Sequence, residues 1–541
     1  MRWLWFAFTV AAAVLMPVAA NAEVSSNLTA EQWREDLRFM AAEMKRRHAN
    51  LYHHVPQQTF DAAVADLDRR IPTLKRNEVI VGLMRIAALV GDGHTRIDPR
   101  KDAAFQFRSM PLKFYDFDDG VFVRAVRPGQ EALLGAKVVA VGGVPIAEAR
   151  ERIAPLVSGD NRMAQRTMIP LYLAMPDVLQ AVGLSKRRDA AAITVSKGGR
   201  TWTAEVHATQ IDPLWPPDTD ISLVTPDGWV DARKGANPMW LQEPLNLHRL
   251  IALPERGVVY AQLNQGVEYK GESLDRYGER ILAMVAEHNP RALVFDLRLN
   301  FGGNGDVRNE LMRDLIRAED QDTQLFVLTG RGSFSATQFM IEDLARLSHG
   351  LLVGEPASGR PTSYGDAYKT LLPNSGIAVR TSIVFWKEGQ DDREWTPIDI
   401  AVPYNFADYE AGRDPALEAA VNYRPQPSLL EKLNAAAKSG GPDGATAAMA
   451  AYAADPVHRY ADVADDGVRA IQAMDDNPSA LGVSRWLARR YPAELSPQVL
   501  YGLLLQALGG SKAEAAEAAR SALALDANNR QAKSIMDWAA N

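Results

Sequence analysis

The sequence predicts a multidomain α/β protein. Its 541 residues exceed the usual domain size of about 100–200 residues, so the chain is expected to form several domains. Helical periodicity dominates residues 29–100 and 445–541, whereas residues 110–210 are rich in strand patterns. Between residues 257 and 355, apolar strands alternate with amphipathic helices and glycine turns, which is typical of an α/β core.

The composition is that of an ordinary globular protein, with 47% hydrophobic and 23% charged residues. The net charge is −7, so the protein has no overall excess of positive charge to attract nucleic acid, and we expect no nucleic acid among its partners. The chain has no cysteine, which excludes disulfides, a thiol nucleophile and a thiolate metal site. No metal-ligand spacing, phosphate loop or dinucleotide fingerprint is present, so we expect neither a metal nor a cofactor.

The first 22 residues have the pattern of a cleavable signal peptide. Met1-Arg2 gives a positive start, Trp3 to Ala20 is almost wholly apolar, and Ala20-Asn21-Ala22 supplies an A-x-A cleavage site. An uncleaved membrane anchor is the alternative, because the apolar run approaches the length that spans a bilayer. The polar residues that follow favour cleavage after Ala22. We therefore expect a periplasmic or secreted protein with no stable membrane insertion.

Three helical patterns follow the signal peptide. The first begins with a capping box of Thr29 and Gln32. Its apolar face carries Trp33, Leu37, Met40 and Met44. The third pattern ends in the segment GDGHT at residues 91–95. His94 in this segment is one of nine histidines, and composition alone does not single it out.

Residues 110–210 carry alternating runs that predict strands. The pattern a-x-L-x-G-A-x-V-x-x-V-x-G at residues 132–143 resembles a PDZ-like domain, and residues 158–189 look like an insertion in it. PDZ domains bind peptide ends by adding a strand to a sheet edge. A closed groove that makes the domain a spacer is the equally weighted alternative.

The segment from Gln324 to Gly365 carries the clearest pattern for catalysis. An apolar strand leads through a glycine turn into Ser333-Phe334-Ser335-Ala336 and then into a helix. This order can expose a hydroxyl above a helix N-terminus, where free N–H groups stabilise developing negative charge. The alternative is that Ser335 or Ser333 is only an N-cap, a position that serine favours.

A second apolar run, RALVFDLRLN at residues 291–300, ends in the turn Phe301-Gly302-Gly303-Asn304-Gly305. Paired glycines let backbone N–H groups come close to a ligand, as an oxyanion hole requires. The order DLRxNxGG, SFSA and Val353-Gly354-Glu355 resembles the C-terminal-processing (tail-specific) serine peptidase family, which includes the tricorn protease core. The resemblance covers about Thr29 to Pro403. It implies a peptidase core with the mixed sheet-and-helix spiral of the ClpP/crotonase fold.

The resemblance also implies the site residues. GDGHT looks like the place where tricorn-type members carry their general-base histidine, which is His94 here. Histidine titrates near neutrality and can take and return a serine proton. Ser335 is then the nucleophile, and the N–H groups of Gly303 and Ala336 hold the oxyanion. Gly302 lies beside them as part of the substrate-binding site.

One branch of the family uses a Ser–Lys dyad, but this chain has Gly359-Arg360 at the matching place. Arginine stays protonated and cannot act as a general base, so the Ser–His pattern is favoured. In the tricorn-type branch, which uses the Ser–His pattern, a carboxylate orients the histidine. Glu394 stands at the matching position, with Asp399 as its rival. Arg360 is expected either to hold a substrate carboxylate in a bidentate pair or to be structural.

The C-terminal part is alanine- and leucine-rich with helical periodicity. Ser439 to Gly444 predicts a flexible boundary. The stretch from Leu500 to Asn529 resembles a tetratricopeptide-type helical hairpin. One pair of helices is too few to form a solenoid, so we expect this tail to pack on the core or on a protein partner.

The predicted organisation has six parts. These are a signal peptide (1–22), an N-terminal helical domain (23–104), a PDZ-like domain with an insertion (105–212), a linker (213–236), a peptidase core (237–425) and a helical, tetratricopeptide-like C-terminal region (426–541). The expected function is a serine peptidase that hydrolyses peptide bonds of proteins or peptides, near C-terminal ends, by Ser–His–Glu catalysis. The alternative is a catalytically inactive binding or scaffold protein on the same fold. The retinoid-binding protein of the eye resembles this family and serves as a carrier, so fold alone does not secure activity.

Overall fold

The structure is a computed structural model that describes residues 28–100, 105–210, 222–319, 322–389 and 392–541. The predicted signal peptide, residues 1–22, lies outside the described residues. Within them, no helix combines the length and the apolar character needed to cross a membrane.

Three helices open the described chain, as the sequence predicts. They are α1 (Ala30–Arg47), α2 (Gln57–Arg70) and α3 (Arg76–Ala88). The capping box of Thr29 and Gln32 at the start of α1 is confirmed, because each side chain accepts a hydrogen bond from the other residue's backbone N–H. The predicted apolar face of α1 is buried. Its side chains belong to a hydrophobic core that continues into the strand-rich region.

An antiparallel sheet follows these helices. Its strands and the small strands around it are β1 (Arg108–Ser109), β2 (Leu112–Phe117), β3 (Gly120–Val126), β4 (Lys137–Val141), β5 (Val144–Pro145), β6 (Ala190–Lys197), β7 (Arg200–His207), β8 (Thr209–Gln210) and β9 (Val230–Asp231). The main strand order is β2-β3-β4-β6-β7, which leaves β2 at an edge. Because β9 pairs with β3, the later part of the predicted linker (213–236) is a strand of this sheet and not a free connection.

The predicted insertion, residues 158–189, forms helices beside that sheet. After α4 (Ile146–Ile153), the chain builds α5 (Arg162–Leu173) and α6 (Pro176–Ala181). Helix α5 packs against the edge strand β2.

A six-stranded sheet forms the centre of the second half. The strands of this half are β10 (His248–Leu253), β11 (Val258–Leu263), β12 (Ala292–Asp296), β13 (Gln324–Thr329), β14 (Leu351–Gly354), β15 (Thr362–Leu371), β16 (Ala378–Lys387) and β17 (Ile400–Ala401). The sheet order is β10-β11-β12-β13-β14-β17, and only β10 runs antiparallel to its neighbour. Strands β15 and β16 form a separate hairpin, which a bridge between Arg96 and Arg380 joins to the N-terminal region.

Helices cover both faces of the six-stranded sheet. They are α7 (Leu274–His288), α8 (Asn309–Ala318) and α9 (Ala336–Leu347) on one face, with α10 (Phe406–Glu410) and α11 (Pro415–Val421) further along the chain. Helix α11 packs on the opposite face of the sheet from α7. Burial on both faces explains why β11 and β12 are continuous apolar runs. The turns after β12 and β13, which hold Gly302-Gly303 and Ser335, meet at one edge because these strands are parallel.

The C-terminal region is a stack of helices on the core. The helices are α12 (Leu429–Ala454), α13 (Val463–Gln472), α14 (Asn477–Arg490), α15 (Leu495–Ala507), α16 (Lys512–Leu525) and α17 (Arg530–Ala540). The predicted hairpin corresponds to α15 and α16, but it belongs to a larger array with its own apolar clusters. The predicted flexible boundary lies inside α12, as a break at Gly441, whose φ is 57°. The array contacts the core, where the ring of Tyr460 packs edge-on against Trp395.

Candidate active site

Ser335 occupies the turn between β13 and α9. Its φ of 59° and ψ of −129° are unusual for a residue with a side chain, and such backbone strain is concentrated at functional sites. Its hydroxyl makes no capping hydrogen bond to α9. Ser333, by contrast, is fully buried and donates its hydroxyl to the carbonyl of Leu297 at 2.9 Å. Of the two serines, Ser333 is therefore structural and Ser335 presents its hydroxyl.

The structure brings His94 to this hydroxyl. Nε2 of His94 lies 3.0 Å from Oγ of Ser335, although the two residues are 241 positions apart in the sequence. The ring of Phe334 stacks on the imidazole at a centroid distance of 4.6 Å. Nδ1 of His94 is buried and has no hydrogen-bond partner in the described part of the chain. The backbone carbonyl of Tyr364 lies near enough to raise the pKa of the ring without forming a well-aligned hydrogen bond.

Asp92 fixes the loop that carries His94. Its Oδ1 accepts hydrogen bonds from the backbone N–H groups of His94 (2.9 Å) and Thr95 (2.6 Å). The hydroxyl of Ser382 also donates to Oδ1, and Oδ2 lies 2.9 Å from Nε2 of His48. Burial alone would raise the pKa of Asp92, but these hydrogen bonds outweigh it and lower the pKa to about 2. The sequence signal for this role was the aspartate two residues before His94, which is typical of an Asx turn.

The pKa of His94 is lowered to about 4, chiefly by burial and then by the positive charge of Arg96. Nη1 of Arg96 donates to the carbonyl of Gly93 at 2.5 Å, which keeps this charge close to the ring. His94 is therefore neutral, and able to accept a proton, from about pH 4 upward. A folded pKa below the unfolded value of about 6.5 also means that stability is lost as pH falls from about 6.5 towards 4.

Replacing Arg96 by glutamine is expected to move the acid limb of the pH–rate profile, the pH range in which the rate falls as His94 becomes protonated, to higher pH. The variant loses the cation that disfavours protonated His94, so the pKa of His94 rises. The measurement is the pH dependence of the rate at which a fluorophosphonate labels Ser335. Arg85→Gln, on the neighbouring helix α3, is the matched control and should leave the acid limb in place. An acid limb that stays unchanged in Arg96→Gln would show that Arg96 does not set this pKa.

The glycine turn after β12 lies against Ser335. A Cβ atom at Gly302 would stand 2.8 Å from Cβ of Ser335, and one at Gly303 would stand 2.3 Å from the carbonyl oxygen of Gly266. Both glycines have positive φ, 112° and 152°. The N–H of Gly302 donates to the side chain of Asn300. Within the described chain, the N–H groups of Gly303 and Ala336 donate to no other residue, so both remain available to an oxyanion.

Replacing Gly303 by valine is expected to lower kcat by about 100-fold or more. The side chain would displace the turn from Gly266, and one oxyanion donor is worth roughly 3–4 kcal/mol where such donors have been removed. Peptide turnover is the measurement, with the thermal midpoint as a check of folding. Gly440→Ala is the matched control, because nothing lies within 4 Å of the added Cβ there. A folded Gly303→Val enzyme with native kcat would remove Gly303 from the oxyanion hole.

The structure does not bring Glu394 to His94. Its carboxylate accepts hydrogen bonds from the backbone N–H and Nε of Arg162, both at 3.0 Å. Asp399, the rival, accepts from the backbone N–H of Leu352 at 2.8 Å and does not reach His94 either. The sequence could not reveal this outcome, because the insertion helix α5 supplies the arginine that binds Glu394.

Arg360 lies in the loop after β14, near the other site residues. Its Nε donates to the backbone carbonyl of Asp160 at 2.6 Å. This contact holds the guanidinium group of Arg360 against the loop of Asp160. Asp160 itself is buried and accepts a hydrogen bond from the N–H of Gly93, the residue before His94. Asp160 was not among the predicted site residues, because nothing in its local sequence distinguishes it from other loop aspartates.

No family model matches this chain, and no curated protein matches it either. Several solved structures, in contrast, are similar to it. A serine-to-alanine mutant of CPAF has a TM-score of 0.52 at 10% identity, with 74% of this chain and 100% of that chain covered. Mature CPAF complexed with lactacystin has a TM-score of 0.50 at 12% identity, with 71% and 96% covered. The photosystem II D1 C-terminal processing protease has a TM-score of 0.33 at 15% identity, with 70% and 94% covered. The chain thus shares the fold of CPAF, and its structural neighbours are peptidases of the C-terminal-processing family.

Proposed function

We propose that this protein is a serine peptidase in which Ser335 is the nucleophile and His94 the general base. The observation that carries the proposal is the 3.0 Å contact between Nε2 of His94 and Oγ of Ser335. Nucleophile and base within hydrogen-bonding reach are the signature of an activated serine. The fold shared with CPAF, whose mature form is the neighbour complexed with lactacystin, supports the same reaction class.

In the proposed mechanism, Oγ of Ser335 attacks the carbonyl carbon of a peptide bond while His94 takes the hydroxyl proton. The carbonyl oxygen becomes negative and is held by the N–H groups of Gly303 and Ala336 at the start of α9. His94 then gives its proton to the leaving amine. In the second half of the reaction, His94 takes a proton from water as the water attacks the acyl-enzyme, and it returns that proton to Oγ of Ser335 when the acid leaves. The lowered pKa of His94 keeps it neutral at pH 7, with Nε2 as the proton acceptor and the carbonyl of Tyr364 facing the other side of the ring.

The substrate is proposed to be a protein or peptide, cut near its C-terminal end. Gly302 would line the channel beside the scissile bond, since its Cα already lies against Ser335. Arg360 supplies a cation in the adjacent loop that suits a substrate carboxylate. A cleavable signal peptide would place the reaction in the periplasm or outside the cell.

The experiment that tests the proposal is labelling of the mature protein with a fluorophosphonate, followed by peptide mapping of the modified residue. We expect the label on Ser335 and none in Ser335→Ala. Ser348→Ala, at the exposed end of α9, is the matched control and should label normally. A folded wild-type protein that takes no label and cleaves no unfolded protein substrate would overturn the proposal in favour of an inactive binding protein.

A further inference from the structure

A short part of the insertion joins the PDZ-like region to the loops around Ser335. We define residues 158–166, at the start of α5, as the bridging segment. The side-chain amide of Asn161 donates to the carbonyls of three core residues, namely Ala357 (3.0 Å), Gly359 (3.2 Å) and Glu394 (3.1 Å). The bridging segment is therefore fixed to the peptidase core and not only to its own domain.

Asp160 is the residue of this segment that reaches the histidine loop. It is 5% exposed, and its Oδ1 accepts a hydrogen bond from the N–H of Gly93 at 2.8 Å. Its own carbonyl accepts from Nε of Arg360. Asp160 thus links the residue before His94 to the loop after β14, across elements that are far apart in sequence.

The backbone of Gly93 and His94 is held from several directions. Asp160 takes the N–H of Gly93, Arg96 donates to its carbonyl, and Asp92 takes the N–H of His94. A Cβ atom at Gly93 would stand 2.7 Å from the ring of Phe334, the same ring that stacks on His94. The backbone at this point consequently sets where the imidazole lies relative to Ser335.

No carboxylate in the described part of the chain holds Nδ1 of His94, because that atom has no hydrogen-bond partner. Besides the carbonyl of Tyr364, which faces the ring, the contacts that orient His94 are therefore those to the backbone of its own loop. Two acids reach this backbone: Asp92, which lies in the loop itself, and Asp160, which comes from the insertion, whereas Glu394 binds Arg162.

We propose that Asp160 is a positioning residue of this site, which, together with Asp92, holds His94 against Ser335 by binding the N–H of Gly93. The role expected of Glu394 is thereby moved to the insertion and acts through the backbone. The inference rests on the proposed function, because positioning matters only if His94 is the base. Burial, and then the charge of Asp92, raise the pKa of Asp160 to about 7, so both its protonated and its ionised forms are present near neutral pH, and Oδ1 can accept in either.

The test compares Asp160→Asn with Asp160→Ala in the full mature chain. Asparagine keeps an acceptor for the N–H of Gly93, so its labelling rate should stay within about threefold of the native rate. Alanine removes the acceptor and should slow labelling about 10–100-fold, since small misplacement of a catalytic group has effects of that size. In Asp160→Ala the acid limb should also move up from about pH 4, because a loosened His94 is better hydrated. Asp189→Asn, at a surface acid of the same insertion, is the control and should change neither the rate nor the acid limb.

Hydrogen exchange of the peptide containing residues 91–95 supplies a readout that needs no activity. We expect faster exchange in Asp160→Ala than in the wild type or Asp160→Asn, because the N–H of Gly93 has lost its acceptor. Native exchange, rate and acid limb in Asp160→Ala would overturn the inference. An asparagine variant as slow as alanine would also overturn it, because the acceptor alone would then not be enough. If wild-type protein took no label, the proposed function would fail. The exchange measurement would still show whether Asp160 binds the N–H of Gly93, so the two failures can be told apart.

Discussion

Replacing His94 by alanine is expected to slow both fluorophosphonate labelling and peptide hydrolysis by about 10⁴-fold or more, the size of effect seen when a member of a serine–histidine pair is removed. The reason is geometric, since Nε2 of His94 is the group that faces Oγ of Ser335 at 3.0 Å. Without it the hydroxyl keeps its proton and is a weak nucleophile at neutral pH. Labelling rate constants for the purified variant are the direct measurement.

His53→Ala is the matched control for this prediction. His53 is exposed, and its ring packs on that of Tyr364 at a centroid distance of 4.3 Å. We expect its labelling rate to remain within about threefold of the native rate, a difference of well under 1.4 kcal/mol in the barrier. Added imidazole should restore part of the activity of His94→Ala and none to Ser335→Ala. Native labelling by His94→Ala would mean that another group takes the serine proton.

The parts of the site that were predictable from sequence are those set by local backbone geometry. An apolar strand followed by Gly302-Gly303, and another followed by the turn to Ser335, indicate two loops at one sheet edge. Positive φ and close contact are properties that glycine alone accepts easily, so the pattern itself carries the information. His94 had no such local signal and was found through the resemblance of GDGHT.

The parts that were not predictable depend on contacts between distant segments. Glu394 matched a family position, but α5 places Arg162 beside it, and that pairing has no trace in the sequence around either residue. The contact of Asp160 with Gly93 likewise crosses 67 positions. In the fold, Val230–Asp231 of the predicted linker pairs with β3, a contact that likewise joins distant segments. Local pattern fixes elements and turns, whereas the partners of polar side chains follow from tertiary packing.

Replacing Glu355 by alanine is expected to lower the free energy of unfolding by about 3–5 kcal/mol, as when one partner of a buried ion pair is removed. Nε and Nη2 of Arg331 donate to the Glu355 carboxylate at 2.9 and 3.0 Å, and the Arg331 side chain is 2% exposed. Arg166 of the bridging segment binds the same carboxylate at 3.0 Å. The variant would leave two guanidinium groups without this partner, one of them buried. Urea unfolding followed by tryptophan fluorescence is the measurement.

A double-mutant cycle separates the ion pair from the loss of packing. Arg331→Met removes the buried cation, so adding it to Glu355→Ala should restore part of the lost stability, and the two changes should not be additive. Glu287→Ala is the surface control, because that side chain is 75% exposed and should change stability by less than about 0.5 kcal/mol. Additive effects of the two core substitutions would show that Arg331 and Glu355 stabilise the fold independently.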